Sequence, residues 1–108
     1  MPQESIMMRR LVAVEKRIEE IQPELDVRVR LMGTVIDVAH NSIVIDDGSG
    51  KIDISFERDP LVKEGQLVRV ITRVLPLIDG FQCRGEAVQT LDGFNIDLYN
   101  KAKEIAKR

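Results

Sequence analysis

Val27 to Phe56 reads VRVRLMGTVIDVAHNSIVIDDGSGKIDISF, and the periodicity of this stretch decides the fold. Val27, Val29 and Leu31 alternate with Arg28 and Arg30, the period of two that marks a strand with one buried face. Gly33 interrupts the alternation before Val35, Ile36 and Val38 resume it. A long strand with an internal glycine predicts a bulge or a sharp bend, which lets one strand serve two sheets. His40-Asn41 reads as a turn and Ser42 to Asp46 as a second strand. Asp47-Gly48-Ser49-Gly50 is a tight hairpin turn, with glycines where positive φ is needed. Lys51 to Phe56 is a third strand, with Ile52, Ile54 and Phe56 on one face.

Downstream, Glu57 to Gln66 is read as a connection holding one helical turn. Leu67 to Leu75 (LVRVITRVL) is a fourth strand, Pro76 to Gly80 a turn, and Phe81 to Leu91 a fifth strand closed by Asp92-Gly93. Five short strands, the first long and bent, describe an all-β, five-stranded OB-fold barrel over residues 25–92. Such a barrel closes its own edges and fills its interior with the alternating Val and Ile positions. An SH3-like barrel is the second architecture compatible with this pattern. Residues 1–24 form an N-terminal extension. Leu11, Val14, Ile18 and Ile21 fall at helical spacing, whereas Val12, Val14 and Lys16 could begin a strand. The expectation is a helix ending near Pro23.

Residues 93–108 predict a C-terminal helix. Asn95 suits its N-cap, Asp97 its first turn, and Lys101, Lys103, Lys107 and Arg108 its negative end. Leu98, Tyr99, Ala102, Ile105 and Ala106 share one helical face. A closed barrel already accounts for the core without this stripe, and so short a helix is marginal alone in water. The stripe is therefore read as an assembly face.

The chain of 108 residues is one domain. With 31% charged residues and a net charge of −2, it lacks the basic footprint of an autonomous nucleic-acid binder. Its single cysteine excludes an intrachain disulfide and a cysteine-clustered zinc site, and fits a reducing compartment. No apolar run has the length of a membrane span, and Met1 to Arg10 lack an apolar signal region. The expectation is a cytoplasmic, nucleoid-associated protein with no membrane partner.

No catalytic chemistry emerges. DDGSGK, Asp46 to Lys51, lacks the first glycine of a phosphate loop, where Ile45 stands, and the hydroxyl after the lysine, where Ile52 stands. The acids at Asp46-Asp47 and Glu57-Asp59 read as solvated turn residues. His40 has no cysteine, serine or carboxylate cluster to work with, and Cys83 falls among inward positions with Phe81 and Gly85. A barrel hydrolase using a metal at Asp46 or Asp47 is the least supported reading. The expectation is a protein that is not an enzyme, with no cofactor, no metal and no small-molecule substrate.

Barrels of this kind bind single strands with a basic groove and aromatic platforms, mainly on their second and third strands and neighbouring loops. Here the outer positions of those strands are Val44, Asp46, Lys51, Asp53 and Ser55, which include no aromatic and two acids. Phe56 is in phase with the core. Phe81, at the mouth of the last hairpin, is the best stacking candidate. Arg28, Arg30, Lys51, Arg73 and Arg84 are the candidate nucleic-acid contacts, Arg69 also lying on a strand. Solvated barrel exterior is the competing account of these cations.

The ending D-G-F-N-I-D-L-Y-N-K-A-K-E-I, Asp92 to Ile105, after such a barrel resembles the smallest subunit of replication protein A, the heterotrimeric single-stranded DNA-binding protein, most of all its archaeal form. Phe94, Leu98, Tyr99, Asn100, Ala102 and Ile105 match the family's F-D-x-x-L-Y-N-x-A-x-x-I, with Asn95 where the family often has Asp. Gly33 to Val35 and Asp47 to Ile52 are also similar, so the likeness runs over about residues 25 to 108. The resemblance implies a three-helix bundle joining this chain to two larger subunits through its terminal helix. It also implies a mainly structural subunit in replication, repair and recombination, with single-stranded DNA held chiefly by the others. A self-sufficient single-strand binder is the alternative.

Overall fold

The computed structural model describes residues 12–91. Its strands are β1 (Val14–Glu15), β2 (Arg28–Ala39), β3 (Ser42–Asp46), β4 (Lys51–Phe56), β5 (Leu67–Leu77) and β6 (Gly80–Thr90). Strands β2, β3 and β4 form an antiparallel meander. β4 pairs in parallel with β6, β6 forms a hairpin with β5, and β5 returns to β2. That circuit closes the barrel expected from the sequence.

One strand spans the closure. β2 pairs with β5 from Arg28 to Thr34 and with β3 from Thr34 to Ala39. The expected bulge lies just beyond the glycine, between Val35 and Asp37, where Ile36 is the extra residue. Gly33 has a different task. A Cβ there would sit 2.8 Å from the Asp46 carbonyl oxygen, so the glycine lets β2 pass against the backbone of the β3–β4 hairpin.

The alternating apolar positions meet inside. Val29, Leu31, Val35, Ile43, Ile45, Ile54, Val68 and Val70 are essentially fully buried, with Thr72 and Cys83 among them. Each such aliphatic side chain contributes about 1.5–3 kcal/mol on burial.

The N-terminal reading needs correction. From Val12 to Glu24 the chain is not an α-helix but a two-residue strand followed by a single 3-10 turn, Ile18–Glu20. The reason is an open edge. β2 gains β3 only from Thr34 onward, so its first half has one unpaired side. β1 lies parallel against it, matching Val14 to Val29 and Glu15 to Arg30, and Lys16 N–H donates to the Arg30 carbonyl at 3.2 Å. The amides of Ile18 and Glu19 donate to Asp47 Oδ2 (2.7 Å) and Ser49 Oγ (3.1 Å) in the β3–β4 turn. Ile18 and Ile21 then pack on the base of the core. Tertiary partners outcompete the helical spacing.

The connection 57–66 contains no helical turn. Asp59 Oδ1 accepts from the Leu61 amide (2.9 Å) and Gln66 Oε1 from the Lys63 amide (2.8 Å), so local side chains take the bonds a helix would use. The C-terminal helix and its face of Leu98, Tyr99, Ala102, Ile105 and Ala106 lie outside the described residues.

Candidate nucleic-acid interface

The outer face of β3 and β4 is as poor in aromatics as the sequence implied. Its cross-strand pairs are Ser42–Ser55, Val44–Asp53 and Asp46–Lys51. Lys51 stands at the hairpin end, about 13 Å along β4 from Ser55 at ~3.3 Å per residue. It is exposed, and its register neighbour is a carboxylate.

Phe81 occupies the position that the sequence singled out. It is half-buried, in phase with Cys83, where β6 diverges from β4. The gap is an open groove of about 390 Å³ lined by Ser42, Asp53, Ser55, Leu77, Phe81 and Gln82. Beside it the β5–β6 hairpin tip carries Leu77 and Ile78, the latter fully exposed. One aromatic face is available there beside Ser42, the Ser55 hydroxyl donating to the Cys83 carbonyl at 3.3 Å, and Asp53 is the charged residue of the lining.

The arginines divide into two groups. In the register of the sheet, Arg28 lies opposite Arg73 and Arg73 opposite Arg84, and Arg84 is followed by Ser55 and Ser42. Arg28, Arg73 and Arg84 thus form one row across three strands on the barrel's outside. Arg30 belongs to the next row, against Ile71 and Glu15, and Arg69 to the row after, against Met32 and Gln89. The structure therefore unites three of the candidate cations and leaves Arg30 and Lys51 apart.

A bulge shapes the row. Register shifts between Ile71 and Thr72, leaving Glu86 as the extra residue of β6. Its re-aimed carboxylate reaches across β5 to bind Arg28 in two-pronged fashion, Nε to Oε1 at 2.6 Å and Nη2 to Oε2 at 3.1 Å. Arg73 and Arg84 are exposed, and no carboxylate among the described residues lies within ion-pair distance of either.

Phe56 and Arg58 complete this surface, and neither is among the contacts expected from the sequence. Phe56 packs partly on the core, yet its ring lies over Gly85 of β6 and lines an open groove of about 430 Å³. Glu57, Arg58, Arg73, Arg84 and Glu86 line the same groove. Only the parallel β4–β6 pairing, Phe56 to Gly85, brings these residues together, and no local signal encodes it.

Of the hairpin acids expected to be solvated, Asp46 lies in the exposed turn and Asp47 does not. Asp47 is buried at 7% exposure. Besides the Ile18 amide, it accepts from Ser49 N–H (2.8 Å), Ser49 Oγ–H (2.7 Å) and Gly50 N–H (3.2 Å). It is a staple between the N-terminal segment and the β3–β4 turn. Among the described residues no three His, Cys, Asp or Glu side chains gather as a metal would need.

Cys83 is buried as expected, and burial pushes its thiol up to about 11, with a hydrogen bond from Thr72 opposing the shift. Two outcomes follow. The folded protein at pH 8 should leave an aromatic disulfide reagent unreacted until denaturant is added. The contribution of Cys83 to stability should be flat below the ordinary thiol range near pH ~8.5. It should then fall from about pH 9 to pH 11, because the unfolded thiol ionises first. Rapid labelling without denaturant would contradict the burial.

No protein-family model and no curated protein matches the sequence. Solved structures do. The second OB-fold domain of replication protein A from Methanococcus maripaludis is similar at TM-score 0.60 and 17% identity, covering 76% of this chain and 99% of that one. The barrel is an OB-fold. The telomere capping protein Ten1 from Saccharomyces pombe shares this OB-fold at TM-score 0.69 and 19% identity, covering 90% of this chain and 100% of that one. A chain of a replication protein A heterotrimer bound to single-stranded DNA is similar at TM-score 0.61 and 13% identity, covering 90% of this chain and 86% of that one. At these identities the likeness is one of fold.

Proposed function

We propose that this chain is a small, non-catalytic OB-fold subunit of a single-stranded-DNA-binding assembly of the replication protein A type, serving replication, repair and recombination. It joins two larger subunits through the helix at residues 93–108, in a three-helix bundle. The observation that carries this reading is the outer β3–β4 face. That is where an OB-fold holds a single strand, and here it offers two carboxylates and no aromatic. A barrel without its usual platform is better suited to scaffolding than to gripping bases. The likeness in fold to Ten1 and to a chain of a replication protein A heterotrimer supports the same reading.

The test is assembly. Affinity-tagged full-length protein from its native extract should elute with two larger OB-fold chains in equal amounts, by native mass spectrometry. Leu98→Asp combined with Ile105→Asp should release both partners while circular dichroism still reports a folded barrel. A complex that survives those two changes overturns the bundle.

A further inference from the structure

We propose that the arginine row on the outer face of β2, β5 and β6 is a phosphodiester track for single-stranded nucleic acid, separate from the β3–β4 face. The argument begins with a cost. Like charges directly opposite one another in a sheet destabilise it, and Arg73 stands opposite both Arg28 and Arg84. The chain as a whole carries a net charge of −2, so this concentration does not follow from a basic composition. Glu86 neutralises Arg28, while Arg73 and Arg84 keep their charge exposed to solvent. Arg58 enters the same groove from the loop after β4.

The shape of the row selects the ligand. At ~4.8 Å between strands, Arg28, Arg73 and Arg84 span about 10 Å across β2, β5 and β6, and Ser55 and Ser42 continue the row around the closed barrel. The groove is open, which does not suit a small enclosed anion. A flexible polyanion with regularly spaced charges can follow a curved row of guanidinium forks. The row ends in the Phe81 groove through Ser55 and Ser42, and Phe56 borders it beside Arg73 and Arg84. A strand whose phosphates follow the arginines therefore has one aromatic ring beside Arg84 and another past Ser55 for its bases. An extended acidic peptide is disfavoured. Such peptides take affinity from an open sheet edge, and β5, β6 and β4 are each paired on both sides over this region.

No residue of this row belongs to 93–108, so its test is separate from the assembly test. The full-length protein is titrated with fluorescein-labelled oligothymidylate across a range of salt. Each phosphate contact to a single strand contributes about −0.7 to the slope of log K against log salt. Contacts from Arg58, Arg73 and Arg84 thus give a slope near −2, with weak binding that is lost at high salt. Arg73→Ala with Arg84→Ala should bring the slope to about −0.7 and weaken low-salt binding about tenfold or more. The urea midpoint should stay at or above the parent's, because a repulsion has been removed. Glu86→Gln should tighten binding.

Three results would overturn the proposal. Oligothymidylate fails to bind at low salt; or it binds with a slope unchanged by the double substitution, Phe81→Ala alone abolishing binding; or poly-glutamate binds through the same arginines at least as tightly.

Discussion

Asp47→Ala is expected to lower the stability of the folded chain by about 3 kcal/mol or more, the effect of emptying a carboxylate that accepts several hydrogen bonds at once. The bonds come from Ile18 N–H, Ser49 N–H, Ser49 Oγ–H and Gly50 N–H, at 2.7, 2.8, 2.7 and 3.2 Å. Bonds to a charged acceptor are each worth about 1.5–3 kcal/mol, and donors left buried without a partner add a desolvation cost. In a domain of this size each kcal/mol moves Tm by about 4–8 °C, so thermal unfolding should begin more than 10 °C earlier. Asp46→Ala is the control. Asp46 accepts one bond, from Gly48 N–H at 2.8 Å in an exposed turn, and its loss should cost about 1 kcal/mol or less. Urea denaturation of the two variants side by side decides the matter. Equal effects at the two positions would remove the staple role.

Gly33→Ala should be comparably severe for a steric reason. The new Cβ would lie 2.8 Å from the Asp46 carbonyl oxygen, 3.0 Å from its carbon and 3.3 Å from the Asp47 nitrogen. All three neighbours are backbone, held by the β2–β3 and β3–β4 ladders, and none can rotate away. Overpacking of this kind costs about 3 kcal/mol. Here it also displaces the hairpin that Asp47 staples, so Gly33→Ala and Asp47→Ala should combine less than additively. Gly85→Ala supplies the contrast. The nearest atoms its Cβ would meet belong to the Phe56 ring, a side chain bordering an open groove rather than backbone held in a ladder. The expected cost is about 1 kcal/mol, the low end for overpacking. If Gly33→Ala proved as mild as Gly85→Ala, the tight passage of β2 against the hairpin would be wrong.

The same residues show how far a sequence can be read. Gly33 was recognisable as a break in a strand, because a glycine within a period-two pattern has few other uses. Its actual neighbour, the Asp46 backbone, could not be named without the register of β2 on β3. Asp47 departs from ordinary turn chemistry for a related reason. A turn acid next to glycines is usually solvated, and only the N-terminal segment folding back over the turn buries it. That segment was itself read as a helix from the spacing of Leu11, Val14, Ile18 and Ile21. Periodicity reports which side chains face inward and is silent on which backbone edge lacks a partner.

For the candidate site, alternation placed Phe81 and Cys83 inward and Arg73 and Arg84 outward, as the structure has them. It could not say that Arg28, Arg73 and Arg84 share a row while Arg30 and Lys51 stand elsewhere. Those positions depend on the strand register and on the bulge at Glu86, which are settled by pairing between residues far apart in the chain.

By itself, the sequence determined strands β2 to β6, their inward faces, the hairpin turns and the barrel class, since each follows from local period and turn chemistry. The tertiary structure alone decided the 3-10 clasp on Asp47, the arginine row and the ring of Phe56 over Gly85. Each of these is a contact between distant segments, and its geometry exists only once the barrel has closed.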